Sequence, residues 1–135
     1  MSSKSLSFQA FSDALGNLGA IMERELDDDD VVRDAAIQRF EYSVELSWKT
    51  LKRFLKIVYA IDEGATRELY RLAERHGLIA DHKVWFRYLD ARNATSHTYN
   101  AETAQDVYDS AKRFLADARL LLSAMEAGYD RHCAE

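Results

Sequence analysis

An all-α fold is predicted by three properties of this 135-residue chain. It has no proline and only five glycines, its apolar residues recur every three or four positions, and no segment alternates apolar with polar residues as a half-buried strand would. Hydrophobic residues at 47%, with 11% aromatics, are enough to bury the core of one compact unit. The expected organisation is therefore a single domain over residues 1–135, with its core at about 6–127 and a polar C-terminal tail.

The first helix follows from Phe8, Phe11, Leu15, Leu18 and Met22, which fall on one helical face, with Ser5 or Ser7 available to cap its start. The run DDDD at 27–30 ends it and opens the next element, where negative charge favours the positive end of a helix dipole and Asp30 suits the N-cap. A calcium loop is the rival explanation, but the alternating ligand spacing, central glycine and closing glutamate are missing. Ile37, Phe40, Val44, Trp48, Leu51, Leu55 and Val58 then hold one stripe along a long second helix, on which Glu45 precedes Lys49 by four residues, the favoured order for an ion pair. The sequence DEG at 62–64 ends that helix.

A shorter helix over Arg67–Arg75 turns Leu69 and Leu72 inward and stops at Gly77. Asp81 caps a fourth helix bearing Val84, Trp85, Tyr88, Leu89 and Arg92, which ends near His97. Asn100 and Thr103 start a fifth, with Val107, Phe114, Ala118, Leu121 and Met125 inward. Trp48 and Trp85 lie on apolar faces and are expected in the core. Short links between amphipathic helices imply a helical bundle.

The chain carries a net charge of −5, which argues against indiscriminate nucleic-acid binding. The charge is uneven: residues 31–58 hold six basic and three acidic residues, so that segment is +3 and the remainder −8. No apolar window approaches the length of a membrane span, no apolar leader precedes the first helix, and the lone Cys133 has no intrachain partner for a disulfide, so a cytoplasmic protein is expected. His76, His82 and His132 lack ligand spacing, so no metal site is expected, and without a Walker loop or dinucleotide fingerprint the chain is expected to bind no cofactor itself.

The stretch RNATSHTY at 92–99 is where chemistry concentrates. Arg92 can hold a phosphate, His97 can move a proton near neutral pH, Tyr99 can accept a transferred group, and the Asn93 amide can orient a phosphate or cap a neighbouring turn. Each also has a plain structural role: His97 as a helix-end cation bonding the last carbonyls, Tyr99 as a packing aromatic. In a continuous α-helix Arg92 and His97 point about 140° apart. They converge only if the last turn unwinds or a second subunit completes the site.

RNATSHTY resembles the Arg-x4-His-x-Tyr signature of the HEPN superfamily, and FEYSVELSWKTLKRFL at 40–55, with W-x-x-Y-x-x-x-RN at 85–93, resembles the subfamily of nucleotidyltransferase substrate-binding proteins. The resemblance spans the first helix to about Met125. It implies an all-α, five-helix antiparallel up-and-down bundle that pairs as a homodimer. It also implies a partner, a minimal nucleotidyltransferase to which Mg-ATP would belong. Members of such pairs are similar to toxin–antitoxin systems. In that scheme Arg92 and His97 form a metal-independent ribonuclease pair acting on RNA, Asn93 supports them, and AMP added to Tyr99 silences the toxin. The alternative is a non-catalytic subunit that binds nucleotide or substrate for the transferase, with the motif residues acting only as phosphate ligands.

Overall fold

Five helices and one short turn form from these stretches in a computed structural model that describes residues 6–27, 30–97 and 100–135. They are α1 (Gln9–Met22), α2 (Val31–Tyr59), α3 (Thr66–Arg75), α4 (His82–Asn93), a 3-10 turn (Ala94–His97) and α5 (Ala101–Ala134). The boundaries have local causes. Asp81 Oδ1 accepts the Lys83 N–H at 2.9 Å to open α4, and Asn100 Oδ1 accepts the N–H groups of Glu102 and Thr103 at 2.9 and 3.2 Å to open α5. At the end of α3, Gly77 takes φ +75°, which lets its own N–H reach the Glu74 carbonyl and the Leu78 N–H reach that of Ala73.

Three local expectations need correction. Asp30 occupies the N-cap position of α2 but is left-handed, with φ 59°, and its side chain makes no cap bond. The Val32 N–H is instead taken by Asp27 Oδ1 at 3.3 Å, while Asp30 pairs with Arg33 at 3.2 Å. Helix α2 stops at Tyr59, before the DEG segment, because Ala60 turns left-handed at φ 57° and the chain runs extended into α3. Trp48 is only partly buried, with the Lys49 ammonium 5.7 Å from its ring centroid, whereas Trp85 is in the core as expected. Ser5 lies outside the described residues; Ser7 Oγ accepts the Gln9 N–H at 3.3 Å.

The directions of the helices can be read from named contacts. Arg39 donates to the Asn17 carbonyl at 2.9 Å and Ser43 Oγ lies 3.4 Å from that of Ala14, so α1 runs against α2. Arg92 meets Glu45 and Thr95 meets Glu41, so α4 also runs against α2. Phe40 meets Phe114 and Phe54 lies beside Gly128, so α5 runs with α2. Thus α1, α2, α4 and α5 alternate in direction, with α3 inserted before α4. At Gly128 a Cβ would sit 2.9 Å from Phe54 Cζ, so the missing side chain is what lets the two long helices approach there. Helix α5 continues past residue 127, and Tyr129 holds the segment before α1 by accepting the Leu6 N–H at 3.1 Å and meeting Phe8 edge-on.

The core centres on aromatic rings drawn from four helices. Phe114 of α5 meets Phe40, Trp85 and Tyr88 edge-on at 5.3, 5.8 and 5.4 Å, and Trp85 stacks on Tyr70 of α3 at 5.2 Å. Burial alone would make the Tyr70 hydroxyl costly, and it pushes that phenol far above its ordinary ionisation range. Ser47, itself fully buried on α2, resolves this: its proton goes to the Val44 carbonyl at 2.7 Å, and its oxygen accepts from Tyr70 at 2.6 Å. We expect Ser47→Ala to destabilise the protein by about 1–3 kcal/mol, because it strands a buried hydroxyl. Tyr70→Phe in that background should recover part of the loss. Additive effects in a denaturation double-mutant cycle would show that the bond does not couple α2 to α3.

Candidate functional site

Arg92 lies in the last turn of α4, on the side facing α2, and is only partly exposed. Its Nη2 donates to Glu45 Oε1 at 2.7 Å and lies 3.7 Å from Glu41 Oε1. The Thr95 hydroxyl, on the 3-10 turn, is 2.7 Å from both Glu41 Oε2 and the Arg92 carbonyl oxygen, either of which can take its proton. Glu41 and Glu45 are four residues apart and so share one face of α2; together they hold the end of α4 and the turn beyond it. Glu45 also keeps the expected pair with Lys49, at 3.7 Å, so one carboxylate lies between two cations.

Both carboxylate contacts to Arg92 use Nη2. Among the described residues, the Nη1 and Nε hydrogens have no carboxylate partner. The guanidinium is thus oriented from one side and still offers donors on the other. It borders an open pocket of about 350 Å³, along with Gln38 and the exposed Tyr42 of α2.

The helical ladder does unwind after Asn93: Ala94–His97 form a 3-10 turn, with Ser96 Oγ donating to the Asn93 carbonyl at 3.3 Å. His97 closes this turn through its backbone. The side chain of His97 and the whole of Tyr99 lie outside the described residues. Asn93 is exposed beside Arg92. Glu41, Glu45 and Thr95 were not singled out for the site in the sequence. Their one legible signal was a pair of acids, four apart, inside an otherwise basic segment.

Among the described residues, one group brings three metal-type ligand atoms within 4.8 Å of one another: Glu74, Asp81 and His82. These atoms already serve the α3–α4 connection. Glu74 Oε1 accepts the His82 N–H at 2.8 Å and lies 2.9 Å from His82 Nδ1, contacts that lower the Glu74 carboxyl below its ordinary range, while Asp81 caps α4. Among the described residues, no helix is long and apolar enough to cross a membrane.

An alternating helical bundle with an arginine at a helix end and a histidine on the turn that follows is the arrangement expected from the resemblance to the HEPN superfamily. The chain belongs to the family described as nucleotidyltransferase substrate binding protein like, which it matches over residues 6–127. It is 41% identical over 100 residues to a Haemophilus influenzae protein named probable ribonuclease HepT, covering 71% of this chain and 68% of that protein. A solved Haemophilus influenzae structure, described as the fold of a substrate binding domain of a nucleotidyltransferase, superposes with a TM-score of 0.78 at 28% identity, over 89% of this chain and 99% of that one. A Thermus thermophilus crystal structure gives a TM-score of 0.73 at 32% identity, over 88% and 98%.

The glutamate clamp has a measurable consequence. Both partners are partly solvated, so the Arg92–Glu45 coupling should be modest, roughly 1 kcal/mol and falling with added salt. A double-mutant cycle of Arg92→Met and Glu45→Gln, followed by urea denaturation at low and high salt, is expected to show that coupling. A coupling of zero at low salt would mean that Glu45 does not hold the guanidinium in solution.

Proposed function

We propose that this chain is the ribonuclease half of a two-component pair, cutting RNA without a metal ion and silenced when a minimal nucleotidyltransferase attaches AMP to Tyr99. The observation that carries this reading is the half-occupied guanidinium of Arg92, oriented by Glu45 at the rim of an open pocket and followed by a 3-10 turn ending at His97. The relative named probable ribonuclease supports the same reading. In the proposed reaction His97 removes the proton of a ribose 2′-hydroxyl. The 2′-oxygen attacks the adjacent phosphorus, and the bond to the 5′-oxygen breaks, that oxygen leaving as a hydroxyl with a proton taken from solvent. The products are a 2′,3′-cyclic phosphate and a 5′-hydroxyl end. Arg92 stabilises the charge that builds on the phosphorane, and Asn93 supports the phosphate.

A homodimer in which both RNATSHTY segments face one cleft would let two copies complete the site. It would also gather positive charge on an otherwise acidic protein. Sedimentation at micromolar concentration should give a dimer; a monomer only would remove this part of the proposal. A description of a solved neighbour as a substrate binding domain favours a second reading, a non-catalytic subunit that presents nucleotide or substrate to the transferase.

Expression without a partner separates the two. Growth arrest and RNA cleavage in the absence of divalent metal are expected for the ribonuclease, and neither for the presenting subunit. Arg92→Ala and His97→Ala are each expected to lower the cleavage rate by roughly 100-fold or more while keeping the helical content. Cleavage that survives both changes would exclude them from the chemistry.

Addition of AMP to Tyr99, seven residues after Arg92 in the sequence, would bring in a phosphodiester and a base, and in this proposal the new phosphate takes up the free Arg92 donors. Coexpression with the transferase and Mg-ATP should therefore add AMP-sized mass increments to the intact protein. Tyr99→Phe should take up none and should escape neutralisation. Modification at another residue, or neutralisation without modification, would point to inhibition by complex formation instead.

A further inference from the structure

On the α5 side of α4, away from the Arg92–Glu45 clamp, a second groove of about 490 Å³ opens between α4 and α5. Its lining includes the exposed Arg87 of α4 and Arg113 of α5, together with Ser110. Neither arginine has an ion-pair partner among the described residues, as is true of most arginines of the chain, so both guanidiniums keep their donors for a ligand. In the same lining Asp117 is anchored by a hydrogen bond from the Tyr88 hydroxyl to its Oδ2, which leaves Oδ1 as an acceptor. Burial, and then the bond to Asp117, push Tyr88 well above its ordinary range, so it remains a neutral donor. Val84 and Ala116 also line the groove, and Leu120, 70% exposed, follows Asp117 by three residues on α5.

Ser110, Arg113, Asp117 and Leu120 step by three, four and three residues, so they form one row along α5. The row reads cation, acceptor, apolar surface. We propose that this groove binds a nucleoside monophosphate, with its phosphate between Arg87 and Arg113, a sugar hydroxyl donating to Asp117, and its base over Ala116 and Leu120. The paired guanidiniums supply the charge-assisted bonds that a phosphate dianion takes. An acidic peptide would suit the arginines equally well, but its next carboxylate would meet Asp117. A sugar instead brings a donor to that point. The proposal does not depend on Arg92, His97 or Tyr99.

Isothermal titration of the full chain with 5′-AMP, inorganic phosphate and adenosine provides the test. We expect saturable binding of 5′-AMP that weakens with added salt, with inorganic phosphate and adenosine each binding more weakly. Arg87→Ala and Arg113→Ala, both at exposed positions, should each weaken 5′-AMP binding by roughly 10-fold or more, while thermal unfolding stays near wild type. Asp117→Asn should weaken 5′-AMP but leave inorganic phosphate unchanged. Arg92→Ala should bind 5′-AMP as wild type does, so loss of ribonuclease activity and loss of this site are separately visible. The proposal is overturned by any of three results: no saturable binding at millimolar 5′-AMP, unchanged binding in the Arg87→Ala/Arg113→Ala double variant, or binding lost in Arg92→Ala. Equal affinity for inorganic phosphate and 5′-AMP overturns the nucleoside assignment.

Discussion

Phe114 is the contact on which the rest of the molecule depends. Its ring receives Phe40 from α2 and Trp85 and Tyr88 from α4, so one side chain sets the spacing of three helices. Edge-to-face aromatic contacts are directional, and buried rings of this size leave little freedom to slide. The position of α4 is therefore constrained by the packing of the core. Arg92 lies one turn beyond Tyr88 on the same helix, so the packing that seats Tyr88 also brings Arg92 to Glu45. The site and the core are consecutive turns of one element.

Polar groups inside the bundle follow the same logic. The buried Ser47 and Tyr70 satisfy each other, and Ser47 passes its own proton to the helix backbone. Tyr88 reaches out of the aromatic cluster to Asp117. Each of these tyrosine hydroxyls thus joins two helices that the apolar contacts already bring together, adding specificity of register to a packing that hydrophobic burial alone would leave looser.

Charge is arranged by face rather than by segment. The excess of basic residues between 31 and 58 does not form one uniform basic surface, because Glu41 and Glu45 interrupt it where α4 arrives, and Lys49 is drawn to Glu45. Arg92 consequently sits in a mixed field, with half its donor fork committed to α2. In the proposed phosphate chemistry this would orient the guanidinium ahead of substrate while giving up some net positive charge. Arg87 and Arg113, without carboxylate partners among the described residues, stand on the other side of α4.

Much of the fold was legible from spacing alone, because helix period and cap residues are local. The five helices, the Asp81 and Asn100 caps and the left-handed stop at Gly77 needed only neighbouring residues to be read. The Arg92 and His97 motif was legible for the same reason, whereas the sequence left open whether the last turn unwinds or a second subunit completes the site; the 3-10 turn at Ala94–His97 came from the structure. Other features were decided by tertiary structure. Asp27 replaced Asp30 as the acceptor at the start of α2, because the left-handed turn at Asp30 carries its side chain away. Buried Ser43, Ser47 and Thr50 widened the inward face of α2 beyond its apolar stripe, since this helix is contacted by α1, α3, α4 and α5 at once. The clamp of Glu41, Glu45 and Thr95 on the end of α4 joins residues 47 and 54 positions apart. Local pattern carries no information about such pairs; only the packing of α4 on α2 brings them within hydrogen-bonding reach.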